Sequence, residues 1–132
     1  MKTYTGPTLG GATATITCPD WCTVDHAYWD DRADDCFHKS SLLEVMPPRD
    51  RAGHPTPVFH PQLGAELQLH STSTSPSAAA VWLQLSEFKE DGVELDLAGV
   101  DSHLATIDRY RDGLAKLRGL LAAIDSERRH RH

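Results

Sequence analysis

A chain of 132 residues can bury one core but hardly two, so a single domain over 1–132 is expected. With 39% hydrophobic and 24% charged residues and a mean hydropathy of −0.42, it reads as globular rather than disordered, with a modest core and sizeable polar loops. A net charge of −6 works against binding a phosphate backbone, no run approaches bilayer-spanning length, and the N-terminal residues hold no apolar signal segment, so nucleic acid and membrane are set aside and a cytoplasmic location is expected.

Residues 1–10 (MKTYTGPTLG), with two glycines and a proline, read as a loose lead-in. From 12 to 18, Ala12, Ala14, Ile16 and Cys18 alternate with Thr13, Thr15 and Thr17. That is a strand, ended by Pro19, which cannot donate to a ladder and restricts the residue before it. Residues 19–40 have neither period; Asp25, Asp30, Asp31, Asp34 and Asp35 crowd there with Trp21, Tyr28 and Trp29. A segment this long and irregular inside a compact domain needs something to hold it, and a bound ion is one such thing. Residues 41–46 are a short strand candidate, and 47–61 (PPRDRAGHPTPVFHP), with five prolines in fifteen residues, form an extended connector. Three half-buried strands follow, carried by Leu63, Ala65, Leu67 and Leu69, by Val81, Leu83 and Leu85, and by Val93, Leu95 and Leu97. The turn signal KEDG makes the last two an antiparallel pair.

Between 98 and 125 the period becomes helical: Val100, Ile107, Leu114 and Leu121 repeat every seven, and His103, Tyr110, Leu117 and Ile124 each fall three later. This stripe should pack across one face of the sheet; its alternative use is a partner-binding or dimeric coiled coil. Residues 126–132, with Arg128, Arg129, His130 and Arg131, read as a basic, frayed tail. The expected fold class is α+β: an antiparallel sheet of four or five strands (12–18, 41–46, 63–70, 80–87, 93–97), a Cys/His metal-knuckle loop over 18–40, and one long C-terminal helix packed on the sheet.

The chemistry concentrates in CPDWCTVDH, residues 18–26, where Cys18, Cys22 and His26 stand four apart, with His38 twelve further on. Three cysteines, an odd number in a cytosolic setting, argue against a disulfide framework. Zinc takes four Cys or His ligands in a tetrahedron, and two thiolates balance its charge. Pro19 gives the tight turn that lets positions 18 and 22 face one point, Trp21 can shield them, and Asp25 is placed to accept from a ligand histidine. Taken singly, Cys18 reads as a small buried apolar residue, and His26 and His38 as solvated or ion-paired. Taken together they predict one structural Zn²⁺ per chain on Cys18, Cys22, His26 and His38, with Cys36 as the reserve ligand, since a Cys₃His set is equally tetrahedral. His54, His60, His70 and His103 lack ligand-type neighbours and read as surface or packing residues.

CPDWC, the Asp25-His26 pair, and His38 leading through a polar step into HKSSLLEV together resemble a family of small actinobacterial proteins known as a domain of unknown function. In that family a CPxWC, DH and His pattern precedes a few strands and an Ala/Leu-rich C-terminal helix. The resemblance covers about residues 12–125, is specific over 18–40, and carries over Cys18, Cys22, His26 and His38 as characteristic positions. Cys36 lies outside the pattern, and LAGVDS stands where members carry a Thr-Pro or Ser-Pro helix start. The family implies no reaction.

The function expected is that of a non-enzymatic, zinc-stabilised module presenting its sheet edge or C-terminal helix to a protein partner, with a homodimer through the helix left open. The alternative is a zinc-dependent enzyme with an open coordination position in the 18–40 loop; HExxH and the deaminase HxE with PCxxC are absent. A nucleophilic Cys22, His26 and Asp25 triad is disfavoured because residues so close in sequence seldom reach that geometry. A DNA-binding finger would need a basic helix, whereas Asp101, Asp108 and Asp112 stand here against Arg109, Arg111, Lys116 and Arg118.

Overall fold

The first strand lies where the sequence reads as a lead-in. In the computed structural model, which describes residues 2–55 and 63–131, β1 (Lys2–Pro7) pairs antiparallel with β2 (Thr13–Cys18) from Lys2↔Cys18 to Pro7↔Thr13. Thr3, Tyr4 and Thr5 favour pleated backbone, but Gly6 and Pro7 mask the signal. Gly6 is buried, and a Cβ there would collide with the Tyr4 ring folded over it. The turn is closed by Gly11 at φ +84, a conformation that suits glycine, and by the Thr8 hydroxyl accepting from the Ala12 N–H at 3.0 Å.

The other strands form a second antiparallel sheet in the order β3 (Phe37–Lys39), β4 (Gly64–His70), β5 (Ala80–Gln84) and β6 (Gly92–Leu95). Instead of one sheet of four or five strands there are two sheets, of two and four strands. Residues 41–46 are not a strand. The Ser40 hydroxyl takes the Leu67 N–H at 2.9 Å and interrupts the ladder, after which Leu43 makes one isolated bridge to Ala65. The β5–β6 hairpin matches the expected turn. The Trp82 indole donates to the Lys89 carbonyl at 3.0 Å and lies over Gly92, where a Cβ would meet the ring at 2.5 Å.

Alternation gives the four-stranded sheet two unlike faces. The register places His38, Leu69, Leu67, Val81, Leu83 and Leu95 on one, and Lys39, Gln68, Glu66, Trp82 and Glu94 on the other. Of the connector, Asp50 folds back on itself, its carboxylate accepting from the Ala52 and His54 N–H groups at 2.9 Å. The rest of that stretch, with His60, falls among residues 56–62, outside the described residues.

The chain divides into two compact units, Met1–Asp96 and Leu97–His132. The second is α1 (Leu97–His130), which continues through the tail expected to fray. Arg128, Arg129 and His130 occupy its last turn, where cations oppose the helix dipole, and Arg129 pairs with Asp125 at 3.3 Å. None of its described residues is buried. Antiparallel strands, a Cys/His loop and one long C-terminal helix make the protein α+β.

Candidate metal centre

Cys18 is the last residue of β2, and the turn that follows is closed by the Cys22 N–H donating to the Pro19 carbonyl at 3.0 Å. That turn brings the second thiol back toward the first. Next comes a tight turn, closed by the Trp29 N–H donating to the Asp25 carbonyl at 3.3 Å. Asp25 caps its start, with a carboxylate oxygen accepting the Tyr28 N–H at 3.1 Å, while Asp30 ends it at φ 52. The Asp30 N–H donates to the Ala27 carbonyl and the Asp31 N–H to the His26 carbonyl, the crossed pair of a Schellman cap, with Asp standing in for the usual glycine. His26 is thus fixed at the head of a capped turn. His38 arrives from β3, paired with Leu69.

One donor atom from each of Cys18, Cys22, His26 and His38 lies within 4.8 Å of every other. The four residues are 1%, 6%, 3% and 3% exposed. A zinc tetrahedron with bonds of about 2.0 to 2.3 Å has ligand-to-ligand edges of about 3.3 to 3.8 Å. The Cys22 Sγ to His26 Nε2 distance is 3.8 Å. His38 Nδ1 is buried and has no hydrogen-bond partner among the described residues, a costly state that a metal bond would relieve. The donor set therefore fits a metal ion.

His26 is oriented from behind. Its Nδ1 meets the Asp31 carboxylate at 2.7 Å, so that Nδ1 carries the proton and Nε2 faces Cys22 with its lone pair. Tyr4 braces the pair: its hydroxyl donates to the Asp31 carbonyl at 2.6 Å, and its ring centroid lies 5.4 Å from that of His26. Asp25, expected behind a ligand histidine, instead serves the backbone as a cap. The same arrangement dissolves the Cys22, His26 and Asp25 triad, since the carboxylate that meets His26 is Asp31. Nothing in the sequence singles out Asp31 from the five other aspartates of the segment, and Tyr4 sits in a stretch read as a loose lead-in.

Burial pushes the Cys18 thiol up to about 11, with neighbouring Cys22 adding to the shift. His38 is held below its ordinary value by burial and then by His26. Protein atoms alone disfavour both thiolate and imidazolium here; a divalent cation would stabilise the thiolate and hold the histidine neutral. All three cysteines are free. Cys36 joins a separate donor set with His26 and Asp31, and it is not among the four that converge. Burial also raises its thiol pKa, against the lowering effect of Ser71. The remaining described histidines lie elsewhere: His70 bonds Thr72 and approaches Asp35, and His54 approaches Asp50.

The fold and this site define an α+β protein with a buried Cys₂His₂ cluster able to hold a metal ion. The chain belongs to the DUF6907 family, a domain of unknown function, whose model matches residues 3–123. No curated protein and no solved structure matches it. Among the described residues no helix is long and apolar enough to cross a membrane.

Proposed function

We propose that Cys18, Cys22, His26 and His38 hold one structural Zn²⁺ per chain in a non-enzymatic, cytoplasmic module that meets a protein partner through a sheet edge or its C-terminal helix. The observation that carries this reading is the convergence of four buried donors, two thiols and two imidazoles, on one point. Two thiolates and two neutral imidazoles give a neutral zinc site, and four protein ligands leave no coordination position for substrate. The composition of the core supports a structural role. Among the described residues the buried apolar set is Cys18, Cys22, Ala33, Cys36, Leu69 and Leu83, half of it cysteine. So small an aliphatic core stabilises little, and metal binding becomes folding energy in such a domain. The same reading takes CPDWC, Asp25-His26 and His38 as the family's metal signature. A partner could add to β3 or β6, which are the two outer strands of the larger sheet.

Metal analysis of the purified, untagged chain, with X-ray absorption at the bound metal, tests this. One zinc per chain with two sulfur and two nitrogen neighbours is expected. Three protein ligands and a water would favour an enzyme with an open position, and substoichiometric metal of every kind would reject the site.

A further inference from the structure

Beside the four converging donors lies a second set that the structural zinc does not use. One donor atom each from His26, Asp31 and Cys36 lies within 4.8 Å of the others, so the two sets share His26. Cys36 is held against Ser71 through its backbone as well as its thiol: its N–H donates to the Ser71 hydroxyl at 3.2 Å, its carbonyl accepts the Ser71 N–H at 2.8 Å, and the Ser71 side chain also meets the sulfur. Cys36 as a residue is 8% exposed, yet Cys36 and Asp31 both line an open recess of about 440 Å³. A site this buried needs a way in for its ion; one recess touches two of the four donors, and another touches Asp31 and Cys36 of the adjoining set. The first touches Cys18 and His26; its lining sets the Lys2 ammonium, which donates to the Val24 carbonyl at 3.0 Å, against the single carboxylate of Asp25, so its formal charges give no net attraction for a cation. The other holds the carboxylates of Asp31, Asp35 and Glu66 against the ammoniums of Lys39 and Lys89, and it offers a cation two ligand-type atoms before the Cys₂His₂ set is reached.

We infer that Cys36 and Asp31, with the shared His26, form a transfer site that receives a divalent thiophilic cation from this recess and hands it to Cys18, Cys22, His26 and His38. The inference rests on the proposed Cys₂His₂ site and adds the route by which that site exchanges its ion. Cys36 releases its proton to solvent on taking the cation; at the hand-over the Cys18 and Cys22 thiols each lose a proton as their sulfurs replace it, one proton restoring the Cys36 thiol and the other going to solvent. The Asp31 carboxylate is acceptor-only toward the ion and returns to His26 Nδ1. Because ligands are exchanged one at a time, no step leaves the cation without a protein donor.

The test compares the full chain with Cys36→Ser, which keeps the size of the side chain and the backbone bonds to Ser71. Zinc loading and zinc removal by excess chromogenic chelator are followed in both. One zinc per chain is expected in each, with both rates at least tenfold slower in the variant. Equal rates at full loading would overturn the transfer site alone, whereas a wild-type chain that takes no metal would overturn the Cys₂His₂ site and the transfer site with it. Should Cys36→Ser not fold, the same loading and removal rates are read in Cys36→Ala; the same slowing at full loading is expected, and equal rates would overturn the inference.

Discussion

The segment 19–36 contains no strand and no long helix, yet Cys22, His26, Ala33 and Cys36 within it are each at most 8% exposed; α1 is one unbroken helix of 34 residues, and none of its described residues is buried. The contrast separates regularity from burial. A helix satisfies its own backbone groups, so α1 needs no neighbour to be regular. The irregular segment must find its partners outside itself, and it does. The Thr23 N–H donates to the Lys39 carbonyl, the Ala33 N–H to the Pro7 carbonyl, the Leu9 N–H to the Asp34 carboxylate, and the Lys2 ammonium to the Val24 carbonyl. Those bonds tie 19–36 to β1 on one side and β3 on the other, with the Cys/His cluster among them.

Removing the metal is the strongest way to break this comparison. Cys22→Ser, or chelation, should abolish metal binding and sharply lower the melting temperature of the 1–96 unit, since structural zinc contributes on the order of 10 kcal/mol at neutral pH. The helical circular-dichroism signal of α1 should change far less. If the whole spectrum survives chelation, the cluster is not what holds 19–36.

Acidity acts next. In chelator-stripped protein the raised Cys18 value means that the neutral thiol is favoured on folding, a contribution present below the ordinary value of 9.0 and lost as pH climbs through about 11. The lowered His38 value has the opposite direction: its contribution is present above 6.5 and lost as pH falls through the depressed value. Denaturant midpoints of the stripped chain should therefore be highest between about 6.5 and 9, and a flat profile would contradict the burial of both groups.

Two substitutions probe the bracing of His26. Asp31→Asn should weaken zinc affinity about 10- to 100-fold, measured by chelator competition, because the histidine loses the charge that fixes its tautomer. Gly6→Val should cost about 1 to 3 kcal/mol in thermal or denaturant unfolding, as the new side chain displaces Tyr4 from His26 and Asp31. Unchanged affinity in the first would make Asp31 a bystander.

How far the sequence reached depended on the kind of signal. Strands β2, β4, β5 and β6 and the helix were legible because period and turn chemistry act over neighbouring residues: Ala14 and Ile16 against Thr13 and Thr15, or KEDG between two alternating runs. Cys18, Cys22, His26 and His38 were legible as a set because metal chemistry restricts ligand types and local spacing brings them near one another. Strand β1 was not, since Gly6 and Pro7 are poor strand residues and this one is held by its pairing with β2 and by the Tyr4 ring over Gly6.

By itself, then, the sequence determined which residues can ligate and which stretches repeat with a period of 2 or 3.6, because both follow from side-chain chemistry and local backbone geometry. Only the tertiary structure decided that Asp31 rather than Asp25 meets His26, that Cys36 stands beside the four donors instead of among them, and that 41–46 ends as a single bridge. Six aspartates crowd the segment 19–36 with the same intrinsic chemistry. Which of them caps a turn and which orients a ligand is set by where the capped turn, β1 and β3 place them in space, and no spacing along the chain encodes that.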